Sequence, residues 1–365
     1  MSNSLEIDDH MGSKLFTPVS MGALQLRNRI VMAPMTRSRA GLEDGVPREF
    51  VPLYYAQRAT AGLIISEGVS PSPIGRGYLM TPGIYSDAQV ARWREVTDAV
   101  HREGGLMAIQ LMHTGRISNP GALPDDADPV APSAIKAEGW SFSVSGEHGY
   151  RVPRALTTVE VEQTIADYAT AARRAIEAGF DSVELHAATG YLPMQFLSSK
   201  TNHRDDRYGG SIENRARFVV ETLQAIADVV GADRVGVKLS PEFTFNDVSD
   251  DTPQETYRNL VETIAPMGLG YLHVAQPAVE FDYHAMLRPL FPGAYLYGAG
   301  LNKEKAEGLL QSGAADAAAF GALFVANPDL PQRFKQDAVL ASPDPKTLYG
   351  GAAEGYIDYP ALDAA

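Results

Sequence analysis

Short, almost continuous apolar runs alternate eight times along the chain with segments of helical periodicity. The runs cover 30–33, 63–66, 106–112, 182–186, 234–240, 270–275, 294–298 and 317–320. Runs this short and uniformly apolar are expected of parallel strands buried on both faces. The segments between them carry helix punctuation. Ser86 with Gln89, and Thr157 with Glu160, have the spacing of a capping box. Thr252, Pro253 and Glu255 combine an N-cap, an N1 proline and an N3 glutamate. Asn327 with Pro328 reads as the opening of the last helix. Ile165, Tyr168, Ala169, Ala172 and Ile176 fall on one helical face, and Gly179 and Gly313 stand where C-caps belong.

Eight strand–helix alternations predict an α/β fold, either a closed (β/α)8 TIM barrel or a long doubly wound sheet. The dinucleotide fingerprint GxGxxG and the P-loop are both absent, and eight units favour the barrel. A hairpin over 18–27, turning near Gly22 and Ala23, is expected to close the barrel's bottom. The stretch 114–157 is too long and irregular for a plain loop and reads as a cap over the active site. No linker interrupts 14–365, so that span is expected to be one barrel domain. Residues 1–13 are polar and acidic and read as a leader, disordered or left from a tag.

Composition narrows the function. The chain has 365 residues, with 31 Lys and Arg against 45 Asp and Glu, for a net charge of -14. Such an acidic balance argues against nucleic-acid binding and offers no polybasic patch for a membrane surface. No run of about 18 apolar residues and no signal-type h-region occurs. The absence of cysteine excludes disulfides, thiolate metal sites and a Cys nucleophile, and fits a reducing, cytoplasmic location. What is left is an enzyme of small molecules, as a monomer or homodimer.

Barrel enzymes place their chemistry at the C-terminal ends of the strands. Those ends offer Pro34, Met35 and Thr36; Glu67 and Gly68; Gln110, Met112 and His113; His186, Thr189 and Tyr191; Lys238; Gln276; Gly298, Ala299 and Gly300; and Gly321. The amide of Gln110, the cation of Lys238 and the hydroxyl of Thr36 suit the edge of a planar heterocycle. The glycine-rich ends of the seventh and eighth runs suit a phosphate. A ring with a phosphate means flavin or pyridoxal, and flavin fits better because only Lys238 approaches a Schiff-base position. His186 can donate to a developing oxyanion and Tyr191 can deliver a proton. Structural readings stand beside these: a buried amide for Gln110, an interior ion pair for Lys238, turn glycines at 298 and 300, a core His–Tyr pair. His101, His148, His203 and His284 have no metal-ligand spacing, and no GxSxG elbow occurs.

The segments LFTPVSMGALQLRNRIVMAPMTR, AGLIISEG, GYLMTPGIYS, IQLMHTGR, VELHAATGY, QFLSS, DDRYGGSIENRARF, FGALFVANPDL and YGGAAEGYIDYP, spread from Lys14 to about Pro360, resemble the old yellow enzyme family of FMN-dependent ene-reductases. The likeness is to its bacterial members of the N-ethylmaleimide and pentaerythritol tetranitrate reductase type. The resemblance implies FMN reduced by NADH or NADPH, hydride transfer to an activated alkene, and Tyr191 as proton donor. It further implies Thr36, Gln110 and Lys238 on the ring edge, and Pro34, Met35 and Gly68 touching the ring by backbone. Ala299, Gly300, Gly321 and Ala322 would hold the phosphate by backbone amides, with Gln276 also at the substrate pocket and Tyr78, Met112 and Tyr356 as its walls.

Two positions depart from the family pattern. Thr189 stands where His or Asn grips the substrate carbonyl, and loss of one such donor can cost roughly 3 kcal/mol. Ala322 stands where an arginine meets the FMN phosphate, and a charged hydrogen bond contributes about 1.5–3 kcal/mol, so FMN affinity is expected to fall ten- to a hundred-fold. These departures motivate an alternative, a redox-neutral isomerase or cyclase on the same barrel. A non-catalytic binding protein is a third reading, opposed by Thr36, Gln110, His186 and Tyr191 occurring together.

Overall fold

All eight apolar runs form strands that close on one another. The computed structural model describes residues 12–119, 121–143, 146–276 and 278–362, so the leader reading for 1–11 lies outside the described residues. The strands are β1 (Val19–Met21), β2 (Leu24–Leu26), β3 (Ile30–Met32), β4 (Leu63–Val69), β5 (Met107–Leu111), β6 (Val130–Ala131), β7 (Trp140–Ser143), β8 (Gly146–Gly149), β9 (Arg154–Ala155), β10 (Ser182–Ala187), β11 (Val235–Leu239), β12 (Tyr271–Ala275), β13 (Ala294–Gly298) and β14 (Ala317–Phe320). The α-helices are α1 (Val51–Ala56), α2 (Asp87–Arg102), α3 (Thr158–Glu177), α4 (Leu192–Leu197), α5 (Ile212–Val230), α6 (Pro253–Ile264), α7 (Tyr283–Leu287), α8 (Lys303–Ser312), α9 (Ala322–Ala326) and α10 (Leu330–Lys335). Strands β3, β4, β5 and β10 to β14 form a closed parallel barrel. Its fourth and fifth members, β10 and β11, pair Glu184 with Gly236 and His186 with Lys238.

Closure turns alternate residues inward, and the lower half of the barrel is filled with apolar side chains. Val31, Leu63, Ile65, Ala108, Tyr271, Leu296, Ala317 and Ala319 pack there with Met21, Leu24 and Leu26 of the β1–β2 hairpin. The hairpin is the expected bottom lid. Its turn residue Gly22 has φ +59°, and a Cβ there would sit 2.0 Å from the Asp233 carbonyl. Ala23 N donates to that same carbonyl at 2.9 Å.

Most of the punctuation acts as the sequence implies. Both capping boxes form, at Ser86 with Gln89 and at Thr157 with Glu160. On α3, Ile165, Tyr168 and Ala172 are buried, with Ala169 and Ile176 half-buried at the edge of the stripe. Thr252 does precede α6, but its side chain makes no capping hydrogen bond. Asn327 does not open the last helix. It ends α9, donating to Leu323 O and Ala341 O, and Asp329 precedes α10.

The 114–157 segment is more ordered than its sequence implies. It holds a β7–β8 hairpin and a parallel pairing of β6 with β9. Ile117, Ala137 and Tyr150 from this segment pack with Met112 and Tyr191 at the end of the barrel opposite the hairpin.

Gly236 has no room for a side chain, because a Cβ would lie 2.2 Å from Tyr271 Cζ. Overpacking of this kind costs about 1–3 kcal/mol. Gly236→Ala is therefore expected to lower the thermal midpoint by several degrees, read by differential scanning calorimetry, while Gly308→Ala, in open space inside helix α8, does not lower it and raises it slightly through helix propensity.

Candidate active site

Four adjacent barrel strands, β5 and β10 to β12, deliver polar side chains near the mouth. Register places Gln110 beside Glu184, and His186 beside Lys238, which is in turn beside His273. Gln110 Nε2 donates to Glu184 Oε1 at 2.7 Å, and His273 Nδ1 lies 3.0 Å from Glu184 Oε2. Burial would raise the Glu184 pKa, but His273, Lys238 and Gln110 outweigh it and hold the carboxyl below its ordinary value. Burial lowers the Lys238 pKa, and Glu184 offsets part of that.

Above this level the polar groups are open. Among the described residues, Thr36 Oγ1, Gln110 Oε1 and Lys238 Nζ make no hydrogen bond, and Pro34, Met35, Thr36 and Lys238 are only half-buried. Unsatisfied polar groups at a barrel mouth call for a polar partner. A hydroxyl, an amide oxygen and an ammonium are the acceptors and donors that a flavin's pyrimidine edge requires. At the seventh and eighth strand ends, Ala299 and Gly300 have φ +72° and +64°, Gly321 is half-buried, and Ala322 is exposed. Backbone N–H groups presented by a turn of this kind can line an anion-binding concavity.

His186 and Tyr191 face each other edge to face, with centroids 4.9 Å apart and planes at 90°. Burial, with Lys238 and His273, holds the His186 pKa well below 6.5, so the ring is neutral. Its Nδ1 is buried without a partner. Thr189 Oγ1 lies 3.3 Å from His186 Nε2. Thr189 itself sits at φ +50°, a strained backbone for a β-branched residue that costs of order 1–3 kcal/mol. Two hydrogen bonds hold it there: its N–H to Ser240 Oγ at 2.8 Å and its carbonyl from Asn246 Nδ2 at 2.8 Å.

The Tyr191 hydroxyl stands 3.3 Å from that of Tyr78. Burial pushes its pKa up to about 12, while the neighbouring Tyr78 and Asn246 pull the other way. Asn246, which donates to the strained Thr189 carbonyl, also lies close enough to both tyrosines to pull their pKa values down. Its exposed sequence context, in a polar loop, gives no hint of this.

Met112 is buried over Gly68, whose added Cβ would lie 2.5 Å from Met112 Sδ, so both belong to the same wall. Two expectations do not hold. Tyr356 is no pocket wall: it is fully buried, stacked on Tyr54 at 3.8 Å and 5°, beneath the Arg37 and Arg39 guanidiniums. Those arginines also gather the carbonyls of Thr347, Leu348, Ala352 and Glu354, which leaves Tyr349 exposed and close enough to raise the Tyr191 pKa. Two tyrosines share one motif, and only packing separates the anchor from the rim residue. Gln276 likewise is committed to its own loop, donating to Phe281 O and accepting from Tyr283 N at 2.9 Å each. Glu184, Asn246, Tyr150 and Tyr349 are the site residues that sequence reading missed.

The comparisons with known proteins agree with this geometry. Residues 14–340 match the description "NADH:flavin oxidoreductase / NADH oxidase family". The chain is 41% identical over 360 residues to 12-oxophytodienoate reductase 1 of Oryza sativa subsp. japonica, covering 96% of this chain and 93% of that one. Among solved structures, morphinone reductase in complex with tetrahydroNAD superposes with a TM-score of 0.92 at 48% identity, covering 96% of this chain and 98% of that one. The old yellow enzyme homologue of Zymomonas mobilis gives 0.92 at 39% identity, covering 95% and 99%. The alternation of strands, the polar edge at the mouth and these matches together make the chain a member of the NADH:flavin oxidoreductase / NADH oxidase family, of the old yellow enzyme kind.

Proposed function

We propose that the protein reduces the activated C=C bond of a small α,β-unsaturated carbonyl compound, with FMN as cofactor and NADH or NADPH as electron source. The observation that carries this reading is the set of unpartnered groups at the mouth, Thr36, Gln110 and Lys238, facing the His186–Tyr191 pair. FMN, when bound, would supply the two-electron hydride chemistry that links nicotinamide oxidation to reduction of the alkene at its β-carbon.

The chain's own residues do the rest. Thr36 Oγ1, Gln110 Oε1 and Lys238 Nζ hold the ring edge, and the backbones of Pro34, Met35 and Gly68 bear on the ring. Amides of Ala299, Gly300, Gly321 and Ala322 receive the phosphate, without a cation at 322. His186 holds the substrate carbonyl oxygen, and Thr189 adds a shorter donor beside it. Tyr191 gives its proton to the α-carbon, and the phenolate left behind is stabilised by Tyr78 and Asn246. Tyr78 and Met112 wall the pocket, with Tyr349 at its rim. Residues 14–365 act as one barrel unit whose 114–157 segment caps the pocket, which the packing of Ile117, Ala137 and Tyr150 supports. A cytoplasmic location is part of this proposal, supported by the need for reduced nicotinamide.

Purified protein is expected to be yellow, to bleach anaerobically with reduced nicotinamide, and to recover its colour on addition of 2-cyclohexenone. Protein that stays colourless after FMN addition rejects the reading, and a product of unchanged mass formed without nicotinamide establishes the redox-neutral alternative. Tyr191→Phe is expected to leave bleaching within twofold and to slow recovery about a hundred-fold, measured by stopped flow. Thr189→Asn supplies a longer donor on a residue that tolerates positive φ, and should raise kcat/KM for the enone about ten- to a hundred-fold. Because Tyr191 titrates at about 12 and His186 well below 6.5, recovery is expected to be flat from pH 6.5 to 10 and to fall above that as the donor is lost.

A further inference from the structure

Glu184 is a fully buried carboxylate directly below the cofactor edge, and none of the steps above employs it. We propose that Glu184 is a positioning residue that fixes the Gln110 amide with its nitrogen inward and its oxygen at the mouth, so that the mouth offers an acceptor to the ring N–H of FMN. The proposal rests on the FMN-dependent reading above.

The orientation follows from chemistry. An ionised carboxylate only accepts hydrogen bonds, so the group 2.7 Å from Glu184 Oε1 must be the Gln110 NH2. A flipped amide would set two acceptor oxygens against each other with no proton between them. The other oxygen, Oε2, is taken by His273 Nδ1 at 3.0 Å, which makes that nitrogen the donor of a neutral imidazole. The carboxylate thus joins β5 to β12 across the barrel interior, since Gln110 and His273 lie on those two strands. Gln110 is also fixed through its backbone, whose N–H donates to Ser66 Oγ at 3.0 Å. The only freedom left to Gln110 is the rotation of its amide, and Glu184 removes it. Oxidised isoalloxazine has one ring N–H, flanked by two carbonyls, and an upward amide oxygen is its complement. Glu184 touches neither cofactor nor substrate; it acts through Gln110.

The test is a double-mutant cycle on FMN affinity, read by quenching of flavin fluorescence on protein freed of flavin. Glu184→Gln can turn either end of its own amide toward Gln110 and no longer selects one orientation. It is expected to weaken FMN about tenfold in the native background and less than about twofold in a Gln110→Met background, where no amide is left to orient. An unchanged Kd in Glu184→Gln, or an equal loss in both backgrounds, overturns the proposal. Should Glu184→Gln not fold, Gln110→Glu serves instead. At pH 6 its carboxyl can donate a proton to Glu184 and keep a carbonyl oxygen at the mouth, so FMN binding should stay within about threefold of native, well above Gln110→Met. Binding as weak as Gln110→Met overturns the proposal. Native protein that binds no FMN rejects the functional reading and this inference together, whereas native binding without coupling rejects this inference alone.

Discussion

A carboxylate buried at the centre of the barrel governs the arrangement around it. Removing a carboxylate from water costs several kcal/mol, and breaking such a site by deleting one partner costs about 3–5 kcal/mol. Glu184 therefore requires donors on both oxygens and a cation nearby, and Gln110, His273 and Lys238 meet those needs from three other strands. Satisfying the carboxylate uses the inward-facing half of each neighbour. The outward-facing halves, Gln110 Oε1 and the Lys238 ammonium, are what the mouth presents to a ligand. Structural satisfaction below and functional openness above come from the same side chains.

The lower barrel is apolar and sealed, and the upper barrel is polar and open. Met21, Leu24 and Leu26 seal the bottom through a hairpin fixed on Asp233. At the top, the 114–157 segment and the C-terminal loop are brought in by packing and by carbonyl-gathering arginines. Arg37 and Arg39 hold the loop against Tyr356, and Tyr349 is carried to the rim as a consequence. Burial around Tyr191 keeps its proton in place over the whole physiological range.

Strain and departure from the family pattern meet at Thr189. A threonine at φ +50° is disfavoured by its own side chain, and hydrogen bonds of about 1 kcal/mol each, to Ser240 and from Asn246, roughly offset the strain. Asn246 also lowers the pKa of Tyr78 and Tyr191, so the amide that holds the strained turn also acts on the acid. A substrate carbonyl in this pocket meets one imidazole and one short hydroxyl. At the phosphate end, Ala322 leaves binding to backbone amides.

Most of what short-range pattern governs was legible in the chain, although Asn327 closes a helix rather than opening one. Eight apolar runs bounded by capping boxes specify buried parallel strands with helices between them, because periodicity and caps act within one turn or one strand. The strand ends then name Thr36, Gln110, His186, Tyr191 and Lys238, because closure of a parallel barrel leaves one end for chemistry. What only the tertiary structure decided was which polar group faces which. Glu184 reads as one more residue in a strand until barrel closure brings Gln110 and His273 onto its two oxygens. Tyr349 and Tyr356 are indistinguishable by spacing, and Arg37 buries one and presents the other. Gln276 ends a strand yet closes on its own loop, and Asn246 lies in a polar loop until the fold turns it onto two tyrosines. Apart from the local closure of Gln276, these assignments depend on contacts between residues far apart in sequence, and no local pattern encodes them.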